Sequence, residues 1–379
     1  MTHKKRDHVA GLIRIGLALM VFAPSGVAQP ASETQHYPPP GKLVDVGGWR
    51  LHLNCAGNKK RNAPTVVLES GAGDFSLDWS LVQPSVARFT RVCSYDRAGS
   101  GWSDLGPRPR TVKQATWELH TALMKLGVTG PYVLVGHSIG GLLIRSFAYQ
   151  YPKEVAGMVL VDSAHEDSQL FINGKIQRVR ETSSGKSIPP IQTTISASDR
   201  YLSQEEKQKI EEFLKIIGPP RIAHPYDKLP PEIQRMRLWA TEQLKHYTAD
   251  DDPYVGEEFA EFYARRQSEK YPLGNIPLIV LTRGGNPGLG ADAKLDEERQ
   301  GLQKDLLLLS RNSKQMIANA SGHHIHIESP ELVTGAIRQV VDSIQHPAHR
   351  PKSSNRLKSG RPPSSAELLG FWTERYHAF

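Results

Sequence analysis

Residues 132–151 constrain this chain more than any other stretch. Tyr132-Val133-Leu134-Val135 is a short apolar run, Gly136-His137-Ser138-Ile139-Gly140-Gly141 follows at once, and 140–151 reads as a helix. An apolar run without alternation suits a strand covered on both faces, in a parallel sheet with helical crossovers. Thr65-Val66-Val67-Leu68, Arg91-Val92-Cys93-Ser94-Tyr95, Met158-Val159-Leu160-Val161 and Leu278-Ile279-Val280-Leu281 repeat the pattern. Residues 42–46 and 49–55, joined across Gly47-Gly48, read as two strands and a tight turn. Further helices are expected over 111–126, 291–311 and 330–345, and a strand over 314–318. The fold class is therefore α/β. With 379 residues, 39% of them hydrophobic, the chain can bury one large core.

After Asp162 the strand rhythm stops for over a hundred residues. Residues 181–200 read as loop, and 203–217, 231–247 and 253–270 as amphipathic helices, so 164–272 is expected to form a helical lid. That insertion divides the core into 29–163 and 273–345. Residues 1–28 have the layout of an export signal: Lys4-Lys5-Arg6, an apolar stretch from Ile15 to Ala23, then Gly26-Val27-Ala28. The apolar stretch is too short to span a bilayer, which needs about 20 residues. Export to the periplasm or medium is expected, with no stable membrane insertion after cleavage. Residues 346–379 are basic and rich in Pro and Ser, the composition of a disordered tail. These two ends account for most of the formal charge of +8, and 29–345 is nearly neutral. Nucleic-acid binding would need a basic face on the domain itself, so nucleic acid is not an expected partner.

The Gly136-His137-Ser138-Ile139-Gly140 turn demands its glycines, because a side chain at Gly136 or Gly140 would crowd a strained strand-to-helix turn. In this setting the sequence resembles the α/β-hydrolase superfamily, whose nucleophile elbow is G-x-S-x-G. The resemblance runs over about residues 40–345. It implies a mostly parallel eight-stranded sheet with helices on both faces, an inserted lid, and Ser138 as nucleophile. Gly322-His323, followed by Glu328 and Pro330-Glu331, resembles the placement of the superfamily's histidine, so His323 is the expected base. His324 and His326 compete for that role. A metal on the three histidines is not expected, since no acidic ligands cluster nearby in sequence, and no cofactor is implied.

The superfamily usually carries the triad acid just after the strand at 278–281, but Arg283-Gly284-Gly285-Asn286-Pro287 holds no carboxylate. A known variation places it one strand earlier, where Asp162 stands; Asp292 is the alternative. The oxyanion donors are expected to be the backbone N–H groups of Ile139 and Ala72, the latter in Ser70-Gly71-Ala72-Gly73. Tyr95 to Gly101 reads as a structural loop in which Asp96 and Arg97 pair. Cys55 and Cys93 fall on strands that neighbour one another in this fold, which leaves both a disulfide and two buried thiols open.

A serine nucleophile argues against the superfamily members that open epoxides or displace halide with an aspartate. Hydrolysis of a small-molecule carboxylic ester is the leading expectation. Amide cleavage in the manner of proline iminopeptidases is second, with Glu257, Glu258 and Glu261 available but expected on a solvated helix face. Hydrolysis of a C–C bond is third, and a non-catalytic binding protein is the contrasting class. Trp239, Tyr247, Phe259, Phe262 and Tyr263 are expected to pack the lid rather than line an acyl pocket.

Overall fold

The computed structural model describes residues 37–59, 63–172, 175–284 and 293–346. The segment expected to be an export signal, Asp292 and the chain beyond His346 lie outside these residues.

The strands and helices follow the expected rhythm. In order they are β1 Lys42–Asp45, β2 Arg50–Ala56, β3 Thr65–Glu69, α1 Gln83–Ala87, β4 Val92–Tyr95, α2 Val112–Lys125, β5 Tyr132–His137, α3 Gly140–Gln150 and β6 Val155–Val161. The inserted segment holds a hairpin, β7 Gln169–Ile172 and β8 Lys175–Arg178, then α4 Gln204–Ile217, α5 Pro231–Thr241 and α6 Val255–Ser268. The sheet resumes with β9 Leu278–Arg283, α7 Ala293–Asp305, β10 Ser313–Ala318, α8 Ile325–Glu328 and α9 Pro330–Gln345. Eight strands form one sheet in the order β1-β2-β4-β3-β5-β6-β9-β10. Every pair from β4 onward is parallel, while β1–β2 and β2–β4 are antiparallel.

Alternation sorts each strand's side chains onto two faces. Val67, Leu134, Leu160 and Val280 point to one side, where Leu119 and Leu123 of α2 and Ile144 and Phe147 of α3 cover them. Val66, Val133, Val159 and Ile279 point to the other, under Val86 of α1 and Ile337 and Val340 of α9. Such fully buried aliphatics cost about 2–5 kcal/mol each to cut to Ala, so both helical layers are firmly seated. Consequently the carboxyl ends of β3, β5, β6, β9 and β10 open on one edge, where open α/β sheets bind ligands.

Cys55 and Cys93 face each other in the β2–β4 register and are joined by a disulfide. Three expectations are corrected. The helix begun at Pro231 stops at Thr241, because Lys245 Nζ reaches the carbonyls of Gly101 and Ser103 at 2.9 and 2.6 Å and draws the chain inward. The helix of 291–311 ends at Asp305, and a 3₁₀ turn over Leu306–Leu309 sends Leu306 and Leu309 together into the core. Asp96 and Arg97 do not pair. Asp96 holds His52 Nδ1 at 2.8 Å and accepts the Ser76 and Trp102 N–H groups, while Arg97 pairs with Glu69 and Asp250.

The lid's glutamates are also corrected. Glu258 is buried and accepts the Val112 and Lys113 N–H groups at the start of α2, and Glu257 accepts from Ser184 N and Oγ. Both face the core because they satisfy backbone donors that α6 covers. Glu261 alone lies on the exposed face, paired with Lys113 at 2.7 Å. Phe259 and Phe262 pack on Val112 and Leu142, and Trp239 packs on Trp102 and Tyr37, as expected of lid packing.

Candidate active site

Ser138 sits between β5 and α3 at φ 54°, a left-handed conformation that a non-glycine residue adopts at a cost. Its neighbours make the turn feasible. A Cβ on Gly136 would lie 2.5 Å from the Gly140 carbonyl oxygen, and one on Gly140 would lie 2.5 Å from that of Ser70. At Gly141 it would lie 1.8 Å from Ser163 Oγ. The turn is pinned by Ser138 N–H on the Val161 carbonyl at 3.1 Å and by Ala164 N–H on the Ser138 carbonyl at 2.8 Å.

Asp162 directly follows β6 and is also left-handed, at φ 39°. Its Oδ2 lies 2.7 Å from His323 Nδ1. His323 stands on the loop between β10 and α8, where Glu328 turns back to accept the Gly322 N–H at 2.8 Å. That contact gives the Gly-His…Glu spacing a physical meaning, since the glutamate closes the loop that presents the histidine. With Nδ1–H donated to Asp162, the Nε2 lone pair of His323 is free for a proton. No hydrogen bond joins Ser138 Oγ to His323 among the described residues; such contacts often tighten only with substrate bound.

The other two histidines turn elsewhere. His324 Nε2 is 2.9 Å from Tyr226 Oη, and burial holds its pKa down to about 3. His326 is fully enclosed, its ring centroid 4.6 Å from that of Trp79, and burial holds it neutral. His323 is the most open of the three, with 26% of its side chain exposed against 13% for His324. Burial lowers the His323 pKa as well, opposed by the Asp162 hydrogen bond and assisted by His137 and Arg283. Burial alone would raise Asp162, but the His323 hydrogen bond and the charges of His323, Arg283 and Arg299 outweigh it and hold the carboxyl low.

The third wall is the turn after β3. A Cβ on Gly71 would stand 3.2 Å from Ser138 Cβ, so this backbone abuts Ser138. Arg97 braces it, donating to Glu69 Oε1 at 2.7 Å, the Ser70 carbonyl at 2.8 Å and the Gly71 carbonyl at 2.5 Å. Asp250 from the lid accepts Gly73 N–H at 2.8 Å. Neither Ala72 N–H nor Ile139 N–H donates to another group among the described residues, so both remain free for an incoming oxygen. The start of α3 adds its positive end at Ile139.

A family model described as "alpha/beta hydrolase fold" matches residues 64–330. The chain belongs to the α/β-hydrolase fold family. A curated relative from Hormonema carpetanum, named "Probable transporter efuK", is 25% identical over 357 residues; the match takes in 89% of this chain but only 49% of that one. An "AB hydrolase superfamily protein" from Gibberella zeae is 26% identical, covering 74% of this chain and 87% of its own. The solved structure of an esterase from Thermogutta terrifontis superposes with a TM-score of 0.53 at 21% identity, covering 80% of this chain and all of that one.

In this α/β-hydrolase the structure brings Ser138, Asp162, His323, Ile139 and the Ala72 turn to one edge; Asp292 lies outside the described residues. It also gathers groups that sequence reasoning missed. Asp74 lies beneath the site, and its Oδ1 accepts from Tyr226 Oη at 2.6 Å and Arg237 Nη2 at 3.2 Å. Ligand atoms of Asp74, His137 and His326 lie within 4.8 Å of one another, a grouping that takes in only His326 of the three histidines weighed from the sequence. The Arg237 guanidinium already offsets the charge of Asp74, which weakens the set as a cation site. His137 Nε2 donates to the His323 carbonyl at 3.0 Å, so the residue before Ser138 anchors the loop that carries His323. Only its place in the Gly-His-Ser motif hinted at this.

Proposed function

We propose that this α/β-hydrolase cleaves small carboxylic esters through an acyl-enzyme, with Ser138 as nucleophile, His323 as base and Asp162 as the acid. The observation that carries the reading is the 2.7 Å His323–Asp162 hydrogen bond on the edge where Ser138 stands in its left-handed turn. His323 Nε2 takes the Ser138 proton as Oγ bonds to the ester carbon. The oxyanion that forms is received by the Ile139 and Ala72 N–H groups, and Asp162 steadies the imidazolium. The proton then passes to the departing alkoxide, leaving Ser138 acylated. Water enters by the same route in reverse: His323 deprotonates it, it adds to the acyl carbon, and the acid leaves as Ser138 recovers its proton.

The engagement of the lid glutamates favours esters over N-terminal peptide bonds. Glu257 and Glu258 are committed to backbone donors, which leaves Glu261 as the one of the three facing solvent, and it holds Lys113. We also infer export to an oxidising compartment, supported by the Cys55–Cys93 bond; a mature chain beginning at Gln29 would be its signature. The functional test is a p-nitrophenyl ester series of increasing acyl length beside amino-acid arylamides. Short esters should be cleaved by the parent and not by Ser138→Ala. Arylamide release without cleavage of any ester would overturn the reading.

A further inference from the structure

At the end of β9, where the superfamily usually carries its triad acid, stands Arg283. Its backbone N–H donates to Asp162 Oδ1 at 3.2 Å, and its guanidinium lies 3.4 Å from Oδ2. From α7, Arg299 Nη1 lies 3.3 Å from Oδ1. With His323 Nδ1 on Oδ2, the carboxylate meets four donors from three elements. Asp162 is 4% exposed, and a carboxylate so enclosed stays ionised only with such partners. Arg299 is itself held by Asp296, whose Oδ1 is 3.1 and 2.8 Å from its Nε and Nη2. The cost of moving the acid one strand earlier is thus met by two cations.

We propose that Arg283 and Arg299 are positioning residues that lock Asp162 toward His323 and, by their charge, set the pH range in which His323 serves as base. The proposal rests on the triad reading above. Every element packed around His323 bears on it. Asp162 from β6 favours the imidazolium, while Arg283 from β9 and Arg299 from α7 oppose it. His137 from β5 faces the ring at a centroid distance of 4.6 Å. His324 beside it and His326 on α8 are held neutral by burial. Asp74, beyond His137 and His324, is matched by Arg237, and Glu328 is engaged by Gly322 N–H. One carboxylate therefore touches His323, with two guanidinium groups behind it. They let the imidazole stay unprotonated to lower pH than the Asp162 pair alone would allow. Removing either one should raise the His323 pKa and move the acid limb of activity to higher pH.

The test reads Ser138 directly and needs no substrate. A fluorophosphonate probe bonds its phosphorus to Ser138 Oγ and expels fluoride while His323 takes the proton, so the labelling rate follows the base. It is measured from pH 4 to 9 in the parent, Arg299→Met, Arg283→Met and Arg299→Lys. Both Met variants should show the acid limb roughly 0.5–1 pH unit higher. Arg299→Lys keeps the charge but not the fork, so its limb should stay put while its plateau rate falls. A Met-variant limb that coincides with the parent's, or moves to lower pH, overturns the proposal whatever the plateau does. Should Arg299→Met fail to fold, Arg283→Met carries the same comparison. A parent that takes no label at any pH fails the triad reading itself, a distinct result.

Discussion

Two aspartate–histidine pairs lie side by side in this molecule, and they are built in opposite ways. Asp162 and His323 share a 2.7 Å hydrogen bond at the open edge of the sheet, with His323 partly exposed. Asp74 and His137 face each other at 3.4 Å beneath it, both buried, and no hydrogen bond joins them. The outer pair leaves a ring nitrogen of His323 without a hydrogen bond among the described residues, the one proposed to exchange protons with Ser138. The inner pair uses its corresponding nitrogen to hold the His323 carbonyl. In the proposed mechanism the same two residue types thus make a base in one place and a fastening in the other. Access and hydrogen bonding decide which, and residue identity does not.

Substitutions break this comparison in a graded way. Asp162→Asn should reduce kcat/KM for a short p-nitrophenyl ester by about 10⁴-fold, since an amide there favours the wrong histidine tautomer. Asp74→Asn should cost far less, and a larger loss for Asp74→Asn than for Asp162→Asn, with both variants folded, would exchange the roles of the pairs. His137→Leu should reduce kcat by about 10- to 100-fold, on the scale of a lost supporting contact.

The inner region should also register in stability. Burial holds the His246 pKa down to about 4 and His324 down to about 3. Unfolded histidine titrates near 6.5, so the unfolded chain binds more protons below that pH. These groups therefore support the fold above about pH 6.5, and the support is lost as pH falls toward 4. Urea midpoints measured from pH 7.5 to 4.5 should fall, and His246→Gln should flatten the descent. The smallest effect on activity belongs to the far edge of the sheet. Replacing Cys55 and Cys93 together by Ser should cost roughly 2–5 kcal/mol of stability for the 38-residue separation, with kcat unchanged.

The outer pair was largely legible in the sequence and the inner pair was not. Ser138 was legible because a strained turn imposes local demands that only glycines at 136 and 140 meet. His323 was legible because Glu328 closes its loop from nearby in the chain. Asp162 was half legible: the missing carboxylate after β9 pointed back to β6, but the histidine it meets is 161 residues away. Arg283 and Arg299 carried no signal beyond their charge, and Asp74 meets Tyr226 and Arg237 from the lid over separations above 150 residues. Glu257 and Glu258 misled because a charged helix face normally points to water, and here it satisfies the start of α2 and the Ser184 loop. In each case a long-range hydrogen bond outweighed the local pattern.

In the proposed mechanism Ser138 itself bonds to the acyl group. Incubating the protein with a p-nitrophenyl ester, quenching in acid during turnover and mapping peptide masses tests this directly. An acyl group is expected on the peptide bearing Ser138, with neither adduct nor turnover in Ser138→Ala. Steady ester turnover that persists in Ser138→Ala with no acylated peptide would contradict it.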